Sequence, residues 1–259
     1  MSDYVLFHMW ERSRKSLMAG HLFYVEQARK RLLSQFNDIE AEAEKAANEW
    51  LERSSSQFDP DRHDPSDFYE RANDVGIEFY QLLSDMREQT SLSVVAGIYH
   101  EWDKQLRGWL VREIEHWHRG DHFPRKIWSA DFVQISEFLD CLGWSFSSTD
   151  YFRKLDACRL VVNVYKHGDG KSLDDLKERF PEYLDARFLD LGFTFSNTDS
   201  RDHTHLKVSE EQFQAFSDAI VEFWKGVPEY TRETENEAPN WVERMISKDR
   251  ENQQQVSNK

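Results

Sequence analysis

The 259-residue chain is poor in residues that interrupt or cross-link a fold: two Cys, six Pro and ten Gly. Cys141 and Cys158 are too few for a disulfide framework, and a Cys-based zinc site lacks thiolates. With Pro and Gly scarce, helices have little to stop them. Long apolar runs are missing as well. The segment Met1 to Gly20 is broken by His8, Glu11, Arg12, Arg14 and Lys15, so neither a signal peptide nor a spanning helix is expected there. A cytoplasmic, reducing setting fits that pattern, with no membrane contact. Positive charge is also in deficit, 33 Lys and Arg against 48 Asp and Glu, for a net charge of −15. That balance excludes a whole-surface nucleic-acid binder and leaves room only for a local basic patch.

What is present is charge (31%) and aromatic bulk (14%, with nine Trp), the composition of long helices with aromatic seams. Leu22, Val25, Ala28, Leu32, Phe36 and Ile39 recur at helical spacing, which predicts one helix from about Leu17 to Ser54. A polar, Pro-punctuated connection follows to Pro65, and Ser66 opens a second helix. A third is expected from Ser91 to His118, with Tyr99, Trp102, Leu106, Trp109, Leu110, Ile114 and Trp117 as a core seam, ended by Gly120 and Pro124. A fourth spans about Ser129–Leu142 and a fifth about Thr149–His167. Ser172 with Asp175, and Ser209 with Gln212, look like capping boxes for two more. The expectation is an all-α helical bundle of about six to seven helices over residues 1–238. It allows at most a short extended segment near 188–208 and a partly disordered C-terminal tail over 239–259.

The fifth helix carries the chemistry. Taking Arg159 as origin and stepping 100° per residue, Asn163 and His167 fall roughly 40° and 80° round the axis, with Lys166 and Asp156 close by. Most of the remaining circumference is apolar: Leu155, Ala157, Cys158, Leu160, Val161, Val162, Val164 and Tyr165. A core helix with one narrow polar stripe has to pair, solvate or use those groups. Between Phe152 and Arg179 seven cationic residues face five acidic ones, so a net +2 segment sits in a −15 chain. His167 stands at the helix end, followed by Gly168, where the dipole favours an imidazolium. Such a group can bind an anion or move protons on a phosphodiester.

Arg159 and the run Asn163-Val164-Tyr165-Lys166-His167-Gly168 resemble the signature helix of HEPN-type proteins, all-α domains that include metal-independent endoribonucleases of toxin–antitoxin and phage-defence systems. Asn163 and His167 fit the family's Asn-x-x-x-His pattern, while Val162 stands where that family has Arg. The resemblance implies a HEPN-like fold and homodimerisation around an RNA-sized groove, without cofactor or metal. It also implies catalytic roles for His167, Arg159, Asn163 and Lys166, with Lys171 and Arg153 contacting RNA. A partner protein encoded nearby belongs to the same picture.

The alternative is a non-catalytic interaction or scaffold protein whose stripe is a structural ion-pair network, Arg159 and Lys166 pairing with carboxylates of neighbouring helices. Asp103, Arg107 and Glu113 of the third helix are candidate partners for the Arg159 stripe. Glu113, His116, His118, Asp121 and His122, and separately His203 with His205, offer metal-ligand types. A solvated helix end is the plainer reading of the first group. No phosphate loop, dinucleotide fingerprint or nucleophile elbow is present.

Overall fold

The computed structural model describes residues 4–185, 200–233 and 236–257, and these are mostly helical. In chain order they form β1 (Val5–His8), α1 (Glu11–Arg31), α2 (Ile39–Ser54), α3 (Pro65–Trp117), α4 (His122–Ser129) and α5 (Phe132–Cys141). There follow α6 (Asp150–His167), α7 (Lys171–Arg179), α8 (Glu210–Gly226), β2 (Tyr230–Arg232) and α9 (Asn240–Ser257). The chain divides into two compact units, Val25–Val94 and the rest.

Several boundaries differ from those expected. The helix anticipated over Leu17–Ser54 is two, broken by a 3₁₀ turn at Leu33–Phe36. No Pro or Gly marks this break; it accompanies burial of Phe36 and Ile39, and packing outweighs local propensity. Conversely, the helices expected to start at Ser66 and Ser91 are one 53-residue α3, because nothing between Leu83 and Ser91 interrupts it. Pro124 does not end a helix but lies in the first turn of α4, where its missing N–H costs nothing. The turn itself is made at Gly120, with φ +128°. Ser172 is inside α7, whose N-cap is Gly170 with no side-chain cap. The expected extended segment falls largely outside the described residues; within them Leu184 bridges Leu206, and His203–His205 form a 3₁₀ turn. The capping boxes Asp131/Gln134 and Ser209/Gln212 start α5 and α8.

In the Val25–Val94 unit, α2 and α3 approach through small residues. A Cβ at Gly76 would stand 3.3 Å from the Ala43 carbonyl oxygen and from the Ala47 methyl. Phe68 closes this unit's seam against Trp50, Phe58 and His63, while Tyr69, Ile77, Tyr80, Leu82 and Met86 stay exposed.

The other unit is built on aromatics. Phe7 of β1 lies against Trp109, Trp117 and Phe138, which anchors the antiparallel β1–β2 pair. That pair was not foreseen, four residues being too few for an alternation to register. Trp102, Phe146 and Phe223 form the centre, and α6 packs on α7 and α8. His21 of α1 bonds Ser217 of α8, and its burial lowers its pKa despite that bond.

α9 is fixed by one carboxylate. Asp249 is 1% exposed, accepts from the His118 and His122 rings at 2.8 Å, and takes the His122 and Phe123 backbone N–H groups at 2.9 and 3.0 Å. Burial pushes its pKa up. The hydrogen bonds from His118, from the two backbone groups and from His122 outweigh that and hold it well below the usual carboxylate range. The His-rich end of α3 is therefore a clasp for α9, not a solvated helix end. Among the described residues no cluster of three or more side chains is arranged to hold a metal ion.

Candidate functional site

Thr149 starts α6 by accepting from Phe152 N–H, and the helix then enters the core. Leu155, Ala157, Cys158, Leu160, Val161, Val162 and Val164 are all 0–1% exposed. The expected apolar circumference is therefore real except at Tyr165, which is 37% exposed, and burial pushes the Cys158 thiol far above its ordinary pKa. Val162 points into this interior, so an Arg at that position would have to bury its charge.

The polar stripe is real too, but it divides: Asp156 and Arg159 meet, while Asn163, Lys166 and His167 bond to neither. At its N-terminal part Asp156, 4% exposed, accepts from Arg159 through Nε (2.9 Å) and Nη2 (2.6 Å). The other Asp156 oxygen accepts from Arg179 of α7. Arg159 lies over the Phe132 ring at 5.5 Å, and Arg153 and Arg179 both approach the Phe180 ring, at 5.5 and 5.0 Å. Two guanidiniums thus share one buried carboxylate, and the surrounding rings hold them in place.

The partners expected for Arg159 are occupied elsewhere. Asp103 pairs with Arg107, which donates on to the Ile127 and Ala130 carbonyls, and Glu113 accepts from His8 N–H. Arg179 was missed by reading residues one helix at a time. The signal for it was Asp156 itself, since a carboxylate on an otherwise apolar helix demands more than a single cation.

The C-terminal part of the stripe is different. Lys166 and His167 are exposed and Asn163 is half-buried, and among the described residues none of the three has a hydrogen bond or ion pair. Arg159 and His167 are eight residues apart, about 12 Å along the axis, so they do not converge on one atom. Gly168 ends α6 with φ +72°, and Asp169 then takes two hydrogen bonds from His203. Those bonds, backbone first and then ring, lower the Asp169 pKa. Beside this pair, Asp202 accepts from Thr204 and His205 and is held down at about 2, mainly by the Thr204 bonds. Lys171 is exposed at the start of α7 and Arg153 near the start of α6.

No family model, curated protein or solved structure matches this chain.

A separate open groove of about 650 Å³ is lined by Glu137, Asp140, Cys141, Asn240, Trp241 and Arg244 among others. None of the α6 candidates lines it. No described helix is long and apolar enough to cross a membrane.

Proposed function

We propose that the chain is a HEPN-like protein of a bacterial defence or toxin–antitoxin system that cleaves RNA without a metal, using the exposed end of α6. The observation that carries this reading is His167. Among the described residues it is an unpaired, solvent-facing imidazole, at the C-terminus of a helix that buries Leu155, Ala157, Cys158, Leu160, Val161, Val162 and Val164 in the core. A rigid helix presenting a free acid–base group is what proton transfer at a phosphodiester needs. Asn163, one turn earlier, is placed to orient His167 or the phosphate. Lys166 and Lys171 supply positive charge beside it, with Arg153 and the Nη1 of Arg159 further along the helix for the neighbouring RNA backbone. A homodimer pairing two α6 ends would complete an RNA-sized groove, and a partner encoded nearby would restrain the activity.

The second reading is a non-catalytic interaction protein, favoured by one observation. Arg159 is already paired with Asp156 in a part-buried network. One experiment separates the two: wild type and His167→Ala assayed on labelled single-stranded RNA in EDTA, with sedimentation for the dimer. Cleavage lost in the variant at unchanged melting temperature supports the nuclease. A wild type inert on every RNA tried leaves the interaction protein.

A further inference from the structure

A second imidazole stands at the same helix end. Asp169 Oδ1 accepts the His203 backbone N–H at 2.9 Å and the His203 Nδ1–H at 2.9 Å. With Nδ1–H given to the carboxylate, the neutral ring carries its lone pair on Nε2. Nε2 has no partner among the described residues, and the side chain is half exposed. The ring also packs on the backbone beside His167: a Cβ at Gly168 would stand 3.7 Å from the ring's Cγ and Nδ1. That contact puts the ring within roughly 9 Å of the His167 Cα, since consecutive Cα atoms are 3.8 Å apart. Two imidazoles therefore flank the end of α6, one held by a carboxylate and one free.

We propose that Asp169 and His203 form the second proton-transfer group of this site, with His203 Nε2 the general base, His167 the general acid, and Asp169 the positioning residue. The assignment rests on the RNA-cleaving reading above. The division of labour follows from the surroundings. In the neutral ring the Asp169-bound tautomer exposes a basic nitrogen at His203, while His167, with no such carboxylate among the described residues, stands at the negative end of the α6 dipole. The charged groups around His203 are Asp169, which it bonds, and Asp202, with His205 tied to Asp202; Lys166 precedes His167 in the chain and Lys171 opens α7, both exposed.

The step balances without a co-reactant. The ribose 2′-hydroxyl gives its proton to His203 Nε2 as the 2′-oxygen bonds to phosphorus. The bond from phosphorus to the 5′-oxygen breaks, and that oxygen takes the proton of the His167 imidazolium. The products are a 2′,3′-cyclic phosphate and a free 5′-hydroxyl, and one proton exchange with water resets the two rings.

The test uses the full chain on labelled single-stranded RNA of mixed sequence in EDTA, with rate–pH profiles, product-end analysis and melting curves. His203→Gln should slow cleavage by about 10²-fold or more, keep the melting temperature, and remove the acid limb of the profile. Asp169→Asn should give a smaller loss with a displaced acid limb. His167→Ala should remove the alkaline limb. His203→Gln retaining the wild-type rate, or slower but with both limbs intact, overturns the second group while leaving the nuclease standing. Product ends other than cyclic phosphate and 5′-hydroxyl overturn the chemistry. A wild type that cleaves no RNA overturns the nuclease reading and this assignment with it.

Discussion

The two ends of α6 share one polar stripe and behave as opposite kinds of site. At the Asp156–Arg159 end the groups are part-buried, mutually paired and cross-linked to α7 by Arg179. At the Asn163–His167 end Lys166 and His167 are exposed, Asn163 is half-buried, and none of their side chains is paired among the described residues. A helical wheel sums over the axis and so merges the two. Rise along the helix, about 1.5 Å per residue, separates them. A polar stripe on a buried helix is thus not one site by virtue of sharing an angle; burial along its length decides which members hold the fold and which are available for chemistry.

The largest effect should come from the closed end. Asp156→Ala leaves two guanidiniums facing each other without their carboxylate; water reaches both side chains, 20% and 45% exposed, so the cost should lie at the low end for uncompensated buried charge, about 3 kcal/mol. Urea denaturation of the variant measures it; a loss within experimental error would make the closed end as dispensable as the open one. Removing one guanidinium should cost less, because the other still holds Asp156. Arg159→Ala and Arg179→Ala together should therefore cost more than their sum, with a coupling within the roughly 0.5–3 kcal/mol range of contacting residues. Strict additivity would mean that the shared carboxylate is not the link.

The same contrast explains how much the sequence disclosed. The apolar faces of α6 and α8, the Thr149 and Ser209 starts, and the Trp102–Trp109 seam are local patterns, and they are where expected. What stayed hidden depends on which elements pack together. Arg179 reaches Asp156 only because α7 folds back on α6. His203 reaches Asp169 across more than thirty intervening residues. The His118–His122 pair resembled a metal or solvated motif until Asp249, over a hundred residues on, filled it. The break at Leu33–Phe36 has no residue signature at all, while the unbroken α3 shows that a drop in apolar periodicity does not stop a helix.

Asp249 offers a third environment that sharpens the comparison: a buried carboxylate held by imidazoles and backbone N–H groups in place of guanidiniums. Asp249→Asn should cost about 1.5–3 kcal/mol near neutral pH, the range for hydrogen bonds to a charged group. The pH dependence follows from the lowered folded-state pKa. An unfolded Asp titrates near about 3.9, so the stabilisation is complete above that value and is lost as pH falls through the depressed folded pKa. The gap between wild type and Asp249→Asn in melting experiments should therefore be widest near neutrality and close in strong acid. A gap that is flat with pH would mean that charge on Asp249 does not hold α9.

The smallest effect belongs to the open end. The His167 side chain is exposed and makes no hydrogen bond among the described residues, so what it can contribute structurally is the interaction of its ring with the α6 C-terminal dipole. Such an interaction is worth about 0.3–1 kcal/mol at low ionic strength and is screened by salt. His167→Ala should lower stability by no more than that, and the difference should shrink as salt is raised. Melting curves at low and high salt, run beside Asp156→Ala, put both ends on one scale. If His167→Ala were as costly as Asp156→Ala, or indifferent to salt, the open end would be structural too. A loss that is small and salt-sensitive leaves His167 free for proton transfer, because removing it disturbs the helix end and not the core.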